Sequence, residues 1–370
     1  MNAPADPTAW VLWGGFALGA IFGAVAARTN FCTMGALSDV VNIGHWGRVR
    51  MWLLAIAVAL IGASLLAYTG QVDLGKTIYQ RPRLPWLSLL LGGALFGIGM
   101  SLAGGCVNKN LIRLGAGSVR SLVVLVFVAI AAYMTLKGLF GQWRASWLDP
   151  VAIDLAALGL PDQSLATMLA LASGLAAPAA LLVTAGVVAA ALLAFVFADQ
   201  RFRANALQAG GAAMLGLLVV VGWYLTGHIG YGENPETLET VFFATNSRTL
   251  ESMSFVAPAA YSLELLMLWT DKSLHASFGI ATALGVAAGS LAHALASGSF
   301  RWEGFASLAD LRNQLAGAVL MGFGGVTAIG CTVGQGISGL STLALGSVIA
   351  TAGIVAGGVA TLKVIAMREG

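Results

Sequence analysis

Gly92–Cys106 reads GGALFGIGMSLAGGC, and Gly317–Cys331, 225 positions later, reads GAVLMGFGGVTAIGC. Aligned without gaps over fifteen positions, the two share Gly92/Gly317, Leu95/Leu320, Gly97/Gly322, Gly99/Gly324, Ala103/Ala328, Gly105/Gly330 and Cys106/Cys331. Each is an apolar, glycine-rich helix that stops on Gly-Cys and then turns polar. A looser copy, Leu18–Cys32 (LGAIFGAVAARTNFC), closes on the third cysteine, and Phe22-Gly23 there matches Phe96-Gly97. The chain holds three cysteines, and all three stand at such a junction. Random placement does not produce that pattern.

With 58% hydrophobic and 9% charged residues and a mean hydropathy of +0.85, the composition excludes a soluble globular chain. Several apolar runs reach the roughly 20 residues needed to cross a bilayer, so the expected fold class is an all-α, polytopic helical membrane protein. Forty-eight glycines fit that class, because small residues let membrane helices approach closely. A net charge of +3 without a basic block argues against nucleic acid as a partner. An odd number of cysteines with no CxxC and no clustered histidines argues against a disulfide framework or a zinc site, and neither metal nor cofactor is expected. The first nine residues carry no Lys or Arg, so the opening apolar run lacks the basic start of a signal peptide and reads as a retained first helix.

Nine spans are expected, starting near Trp10, Met51, Trp86, Ser121, Ala179, Ala206, His275, Asn313 and Thr342. Leu165–Ala198 is too long for one crossing and contains Pro178, so it reads as a short non-spanning helix followed by a span. Phe255–Trp269 is short and interrupted by Pro258 and Glu264, so it reads as a partial helix. The longest polar stretch, Gly227–Ser252, carries Glu233, Glu236 and Glu239, as well as Glu251 close to its end.

Gly19-x-x-x-Gly23 has an echo in Gly285-x-x-x-Gly289, and both read as close-packing faces. The two halves are therefore taken as a repeat within a single transmembrane domain, residues 1–370. The first half covers about residues 10–141, connecting helices about 142–270, and the second half about 271–362. The second GxxxG helix is taken to run opposite to the first, which gives an inverted-topology repeat with a site near the midplane. Loop charge places the N-terminus outside and the C-terminus in the cytoplasm, with Arg48/Arg50, Lys109/Arg113/Arg120, Arg201/Arg203, Arg301 and Lys363/Arg368 inside. The Lys76–Arg83 loop violates that rule. Trp10, Trp86, Trp223 and Trp269, near span ends, read as interface anchors.

A helix that ends inside a membrane leaves carbonyls unpaired, and one that restarts leaves amides unpaired. Such breaks survive where they are buried in protein or line a polar cavity. Restarting helices aim amides and a positive dipole end into that cavity, which suits an anion. The expected pathway residues are Cys32, Cys106 and Cys331, supported at the breaks by Gly105, Gly330, Asn30 and Thr332. Lys109 and Arg113 follow Cys106 and read either as anion attractors or as cytoplasmic charges. A thiol is soft, polarizable and a weak donor, so three of them at three breaks point to a solute with an exposed sulfur or selenium atom. The competing reading is that the cysteines are small residues filling tight turns. His45, His228, His275 and His293 all stand away from the cysteines, so an enzyme is not expected. A membrane sulfurtransferase working through a cysteine persulfide is the alternative. A structural or sensory subunit would not need thiols at the breaks.

RTNFCTMGALSDV (Arg28–Val40), GGCVNKNLIRLGAGS (Gly104–Ser118) and GCTVGQGISGLSTLALGS (Gly330–Ser347) resemble the signature segments of the YeeE/YedE family of membrane proteins. The resemblance spans most of the chain, and the three segments are specific as a set. It implies a nine-span, inverted-repeat bundle in the bacterial inner membrane, with extra short helices and a narrow middle. It also implies uptake of thiosulfate, or of a related sulfur or selenium compound, passed along thiols that correspond to Cys32, Cys106 and Cys331. Family members often act with a small cytosolic sulfurtransferase of the TusA type, which the resemblance makes a candidate partner. Two negative charges entering a negative-inside cell cost about 2.3 kcal/mol each per 100 mV. The expected drive is proton co-import or consumption of the ion inside.

Overall fold

The computed structural model describes residues 6–234 and 238–369; Glu236, named above, lies outside the described residues. The order of helices is α1 (Pro7–Thr29), α2 (Thr33–Ile43), α3 (Gly47–Tyr68), α4 (Trp86–Leu102), α5 (Val107–Gly115), α6 (Val119–Lys137) and α7 (Leu139–Trp143). There follow α8 (Leu165–Ser173), α9 (Ala177–Phe197), α10 (Gln200–Ala204), α11 (Ala206–Tyr224), α12 (Val256–Met267), α13 (Phe278–Ala296), α14 (Leu308–Thr327) and α15 (Leu345–Glu369). Two small antiparallel ribbons pin the connecting loops. They are β1 (Arg83–Leu84) with β2 (Ile153–Asp154), and β3 (Tyr231–Glu233) with β4 (Thr240–Phe242).

The protein is an all-α, multi-pass membrane protein. Among the described residues, eight helical stretches are long and apolar enough to cross a bilayer. The stretch expected as a ninth, α14, runs for 20 residues but is not one of them; its first turns carry Asp310, Arg312, Asn313 and Gln314. Leu165–Ala198 divides as read, into α8 and α9, because Gly174 takes φ 71° and ends the first helix before Pro178 starts the second. α12 is 12 residues long, too short to cross. The Glu264 that interrupts its apolar run is buried and ion-paired with Lys137 at the end of α6.

Glycine decides which helices touch. A Cβ at Gly19 or Gly23 of α1 would strike the backbone oxygens of Thr282 and Val286 in α13. In return, a Cβ at Gly285 or Gly289 would strike those of Phe16 and Ala20. The two GxxxG faces therefore lie on one another at backbone contact. Positions rise together along both helices, so α1 and α13 run parallel. That corrects the expected opposite direction: with five spans expected between them, an odd number, the later helix crosses the same way as the earlier one.

The two Gly-Cys helices behave differently. A Cβ at Gly99 of α4 would lie 2.5 Å from the Gly317 oxygen, and one at Gly92 would lie 2.9 Å from the Gly324 oxygen. The reverse contacts, Gly317 to the Gly99 oxygen and Gly324 to the Gly92 oxygen, are both 2.6 Å. Rising positions on α4 meet falling positions on α14, so this pair is antiparallel. α4 also lies parallel to α15, through Gly93 at Ala350 and Gly97 at Ile354. These reciprocal pairings are the mark of an internal repeat, and they pack α4 against both α14 and α15.

Of the tryptophans expected at the interface, Trp10, Trp86 and Trp269 are exposed, but Trp223 is fully buried. Its Nε1 donates to Ser341 Oγ at 3.0 Å, and its ring meets Tyr79 edge-on. Proximity to a span end does not distinguish an anchor from a core indole whose N–H has found a partner.

Candidate anion pathway

All three cysteines occupy one backbone motif. Each preceding helix ends on a left-handed residue: Asn30 at φ 53°, Gly104 at φ 66° and Ile329 at φ 58°. The next amide then closes back on the helix, from Phe31 to the Ala26 oxygen at 3.0 Å and from Gly105 to the Met100 oxygen at 2.8 Å. Gly330 does the same to the Gly325 oxygen at 2.8 Å. This is the Schellman closure of a helix C-terminus. A cysteine follows in each case, and its carbonyl accepts the amide four residues on: Ala36 at 2.9 Å, Asn110 at 3.0 Å and Gln335 at 2.7 Å. Each cysteine is thus the N-cap of the turn that restarts. The Cys32 and Cys331 sulfurs also accept capping bonds, from the Gly35 amide at 3.3 Å and the Gly334 amide at 3.4 Å.

The restarts are unequal. Cys32 opens α2 and Cys106 opens α5, whereas Cys331 opens only short turns, Gly334–Gly339 and Leu340–Thr342, before α15. Asn110 and Gln335, both four residues past a cysteine, satisfy carbonyls freed by the breaks. Asn110 Nδ2 donates to the Gly105 and Cys106 oxygens at 3.1 Å, and Gln335 Nε2 donates to the Ala328 oxygen at 2.5 Å. Ile329 is the surprise. A β-branched residue in the left-handed region is strained, and it stands where the first copy has Gly104.

The cysteines are 7%, 1% and 1% exposed in chain order. Cys32 and Cys106 lie within reach of each other, and the Thr332 hydroxyl lies beside Cys106. Thr332 Oγ1 is buried without a formed hydrogen bond. Cys331 precedes it in the chain and neighbours Tyr79. Thr332 thus links Cys331, its neighbour in the chain, to Cys106 and Cys32.

Two cavities adjoin this group. One, of about 460 Å³, has Tyr79, Gly330 and Gln335 among its walls, and Arg81, Arg83 and Arg144 as its cations. The other, of about 340 Å³, holds Cys32, Asn30, Gly104, Lys109, Arg113 and Arg48. Lys109 Nζ donates to Asn30 Oδ1 at 2.8 Å and Arg113 Nη1 to the Gly104 oxygen at 2.9 Å, so both cations are built into the breaks. Lys109, Asn30 and Arg113 thus meet Cys32 around one pocket, and Gly330 lines the other cavity, while Cys106, Cys331 and Thr332 are buried and line neither. Gly105 packs on the Lys109 side chain, where an added Cβ would come within 3.1 Å.

Sequence reasoning missed Tyr79, Gln335, Arg48 and Arg144 as wall residues. Arg81 and Arg83 did leave a signal, because their loop was the one that broke the charge rule. Two cavities with cationic walls and buried thiols near them are chemically suited to a soft anion. Among the described residues, no group of three or more His, Cys, Asp or Glu is placed to hold a metal ion.

The chain is 26% identical over 343 residues to the thiosulfate transporter TsuA of Escherichia coli, covering 88% of this chain and 87% of that one. It is 28% identical over 151 residues to the thiosulfate transporter TsuA of Spirochaeta thermophila, covering 40% of this chain and 44% of that one. A model of the Sulphur transport family matches residues 28–360, a range that takes in all three cysteine breaks, and the chain belongs to that family of membrane transporters for sulfur compounds.

Proposed function

We propose that this protein imports thiosulfate across a bacterial inner membrane, handing the ion along Cys331, Cys106 and Cys32 by hydrogen bonds from their thiols. The observation that carries this reading is the set of buried thiols at three like-built helix breaks, with two cation-lined cavities beside them. The larger cavity is the outer one and the Lys109 pocket the inner one. In this reading α14 is the ninth span, the N-terminus is outside and the C-terminus is cytoplasmic. The antiparallel α4–α14 pair, not the GxxxG pair, then carries the inverted repeat.

Charge supports the assignment of solute. The inner pocket holds Arg48, Lys109 and Arg113 against Asp39, a net of +2 that matches a dianion. Thiosulfate presents a soft terminal sulfur to a thiol and hard oxygens to amides and guanidinium groups, so both kinds of wall have a use. A cytosolic sulfurtransferase of the TusA type is the proposed consumer at the inner pocket.

The test is growth on thiosulfate as sole sulfur source in a host lacking other uptake routes. Growth that depends on this chain, and is lost with Cys106→Ser, is expected. Growth on another sulfur or selenium source alone would reassign the solute. A persulfide found on a cysteine of the purified protein after turnover would favour a membrane sulfurtransferase.

A further inference from the structure

The outer cavity contains a carboxyl group that an anion site should not tolerate. Glu251 lines it from the loop that joins β4 to α12. Its Oε1 accepts the Ser247 amide at 2.8 Å, and its backbone oxygen accepts the Thr226 hydroxyl at 2.5 Å, so the residue is fixed in place. No salt bridge reaches it among the described residues. The charged groups of the same cavity are Arg81, Arg83 and Arg144, from the α3–α4 connection and the turn after α7, and Asp149. Arg144 is already engaged by Asp149 at 3.3 Å, and Arg83 donates to the Asp149 carbonyl at 3.2 Å. The titratable groups turned toward Glu251 are the phenols of Tyr79 and Tyr261. Arg248, on its own loop, is exposed.

With both carboxylates ionised, the three arginines leave the cavity at a net +1. With Glu251 neutral the net is +2, the value the inner pocket has without any protonation. We propose that Glu251 is a proton-binding site coupled to anion loading, so that a dianion fills the outer cavity when this carboxyl is protonated. The inference rests on the transport reading above. The proton comes from the outside solution onto a carboxylate oxygen and returns there when the cavity empties; no bond in the anion is made or broken. Burial raises the Glu251 carboxyl above its ordinary value, against the hydrogen bonds from Ser247 that lower it. The same burial holds Tyr79 in its neutral form, so neither phenol competes as the titrating group. Thiosulfate itself stays a dianion at the pH values concerned.

The sign follows from the raised carboxyl. Above that value Glu251 is ionised and opposes loading, and each unit of falling pH increases the competent fraction until the group is fully protonated. Uptake at subsaturating thiosulfate should therefore rise as outside pH falls from the alkaline side, approaching tenfold per unit while the carboxyl is ionised, and level once it is protonated. Glu251→Gln keeps the acceptor for the Ser247 amide and imitates the neutral form, so its uptake should be high and flat over the range.

A second measurement does not depend on the variant folding. Thiosulfate added to purified wild-type protein in weak buffer should draw protons from solution and raise the pH, whereas chloride should not. Wild-type uptake that ignores outside pH overturns the inference, as does a Glu251→Gln profile that matches wild type, or thiosulfate binding without proton uptake. Absence of any wild-type thiosulfate transport would overturn the transport reading and this inference with it.

Discussion

Lys109 Nζ donates to Asn30 Oδ1 at 2.8 Å, tying the residue that ends α1 to the first turn of α5. The bond joins two of the three helix breaks and places an ammonium group beside Cys32 and Cys106. In the proposed reading Lys109 belongs to the anion pocket. Lys109→Met keeps the apolar stem but removes the charge and the bond, and a charge-assisted bond of this kind is worth about 1.5–3 kcal/mol. Thiosulfate uptake is expected to fall about tenfold or more, with Lys109→Arg recovering part of it. Uptake unchanged in Lys109→Met would reduce the residue to a determinant of orientation.

The thiols themselves give the sharpest test. Cys106 and Cys331 are each 1% exposed; Cys106 is the N-cap of α5, and Cys331 accepts the Gln335 amide on its carbonyl and the Gly334 amide on its sulfur. Serine can take over the backbone role, since it is a good N-cap of nearly the same size. Cys106→Ser and Cys331→Ser should therefore leave folded protein in the membrane while cutting uptake severely, because serine lacks the soft sulfur. Measured side by side, protein level and uptake separate the two roles. Wild-type uptake in both variants would return the cysteines to packing residues.

Glycine substitutions should sort by what the missing Cβ would meet. Gly289 faces the Ala20 oxygen of α1, and both are backbone, so neither helix can yield locally. Gly289→Ala must push α13 off α1 and is expected to lower stability by roughly 1–3 kcal/mol or prevent folding. Gly298 has φ 63° with open space around it, so Gly298→Ala should cost about 1 kcal/mol, the left-handed penalty alone. Thermal unfolding in detergent compares them, and equal losses would mean that the α1–α13 contact is not tight.

Much of this arrangement was legible because membrane helices advertise themselves by length and composition. The Gly-Cys repeat also located the breaks, since a helix that ends on glycine needs few other signals. The left-handed Ile329 was not legible: only tertiary packing holds a β-branched residue there, and the alignment merely showed Ile opposite Gly104. The direction of α13 was legible in the span count itself, since five crossings between it and α1 make the two parallel; the GxxxG pattern alone reports a packing face and not a polarity. Trp223 was misread because nothing in its neighbours announces that Ser341, 118 positions on, accepts its N–H. The larger cavity draws on scattered loops, and its only trace in the sequence was the positive charge at Arg81 and Arg83 in the loop that breaks the charge rule.

Orientation can be checked directly. Glu239 precedes β4 and Lys363 lies near the end of α15, and both are exposed. On a background without native cysteines, Glu239→Cys should react with an impermeant maleimide from outside and Lys363→Cys only after the membrane is opened. Glu236 offers a second position in the same polar stretch of the sequence. Labelling of both Glu239→Cys and Lys363→Cys from one side would remove the nine-span arrangement, in which α12 does not cross and α14 does.

The energetics of import provide the last test. A dianion moving into a negative-inside compartment climbs about 4.6 kcal/mol per 100 mV, which opposes import by more than about a thousandfold in concentration. A row of thiols lowers the barrier between two cavities but cannot lift the ion against that gradient. Either protons enter with it, or the ion is consumed as it arrives. Sealed vesicles containing this protein alone, with an inside-negative potential and no pH gradient, should therefore fill only to a level well below the outside concentration. Enclosing a sulfurtransferase with a sulfur acceptor should then sustain net uptake if consumption is the drive. An inside-alkaline pH gradient should do so if protons accompany the ion. Accumulation above equilibrium in vesicles with neither would contradict both drives and require a third.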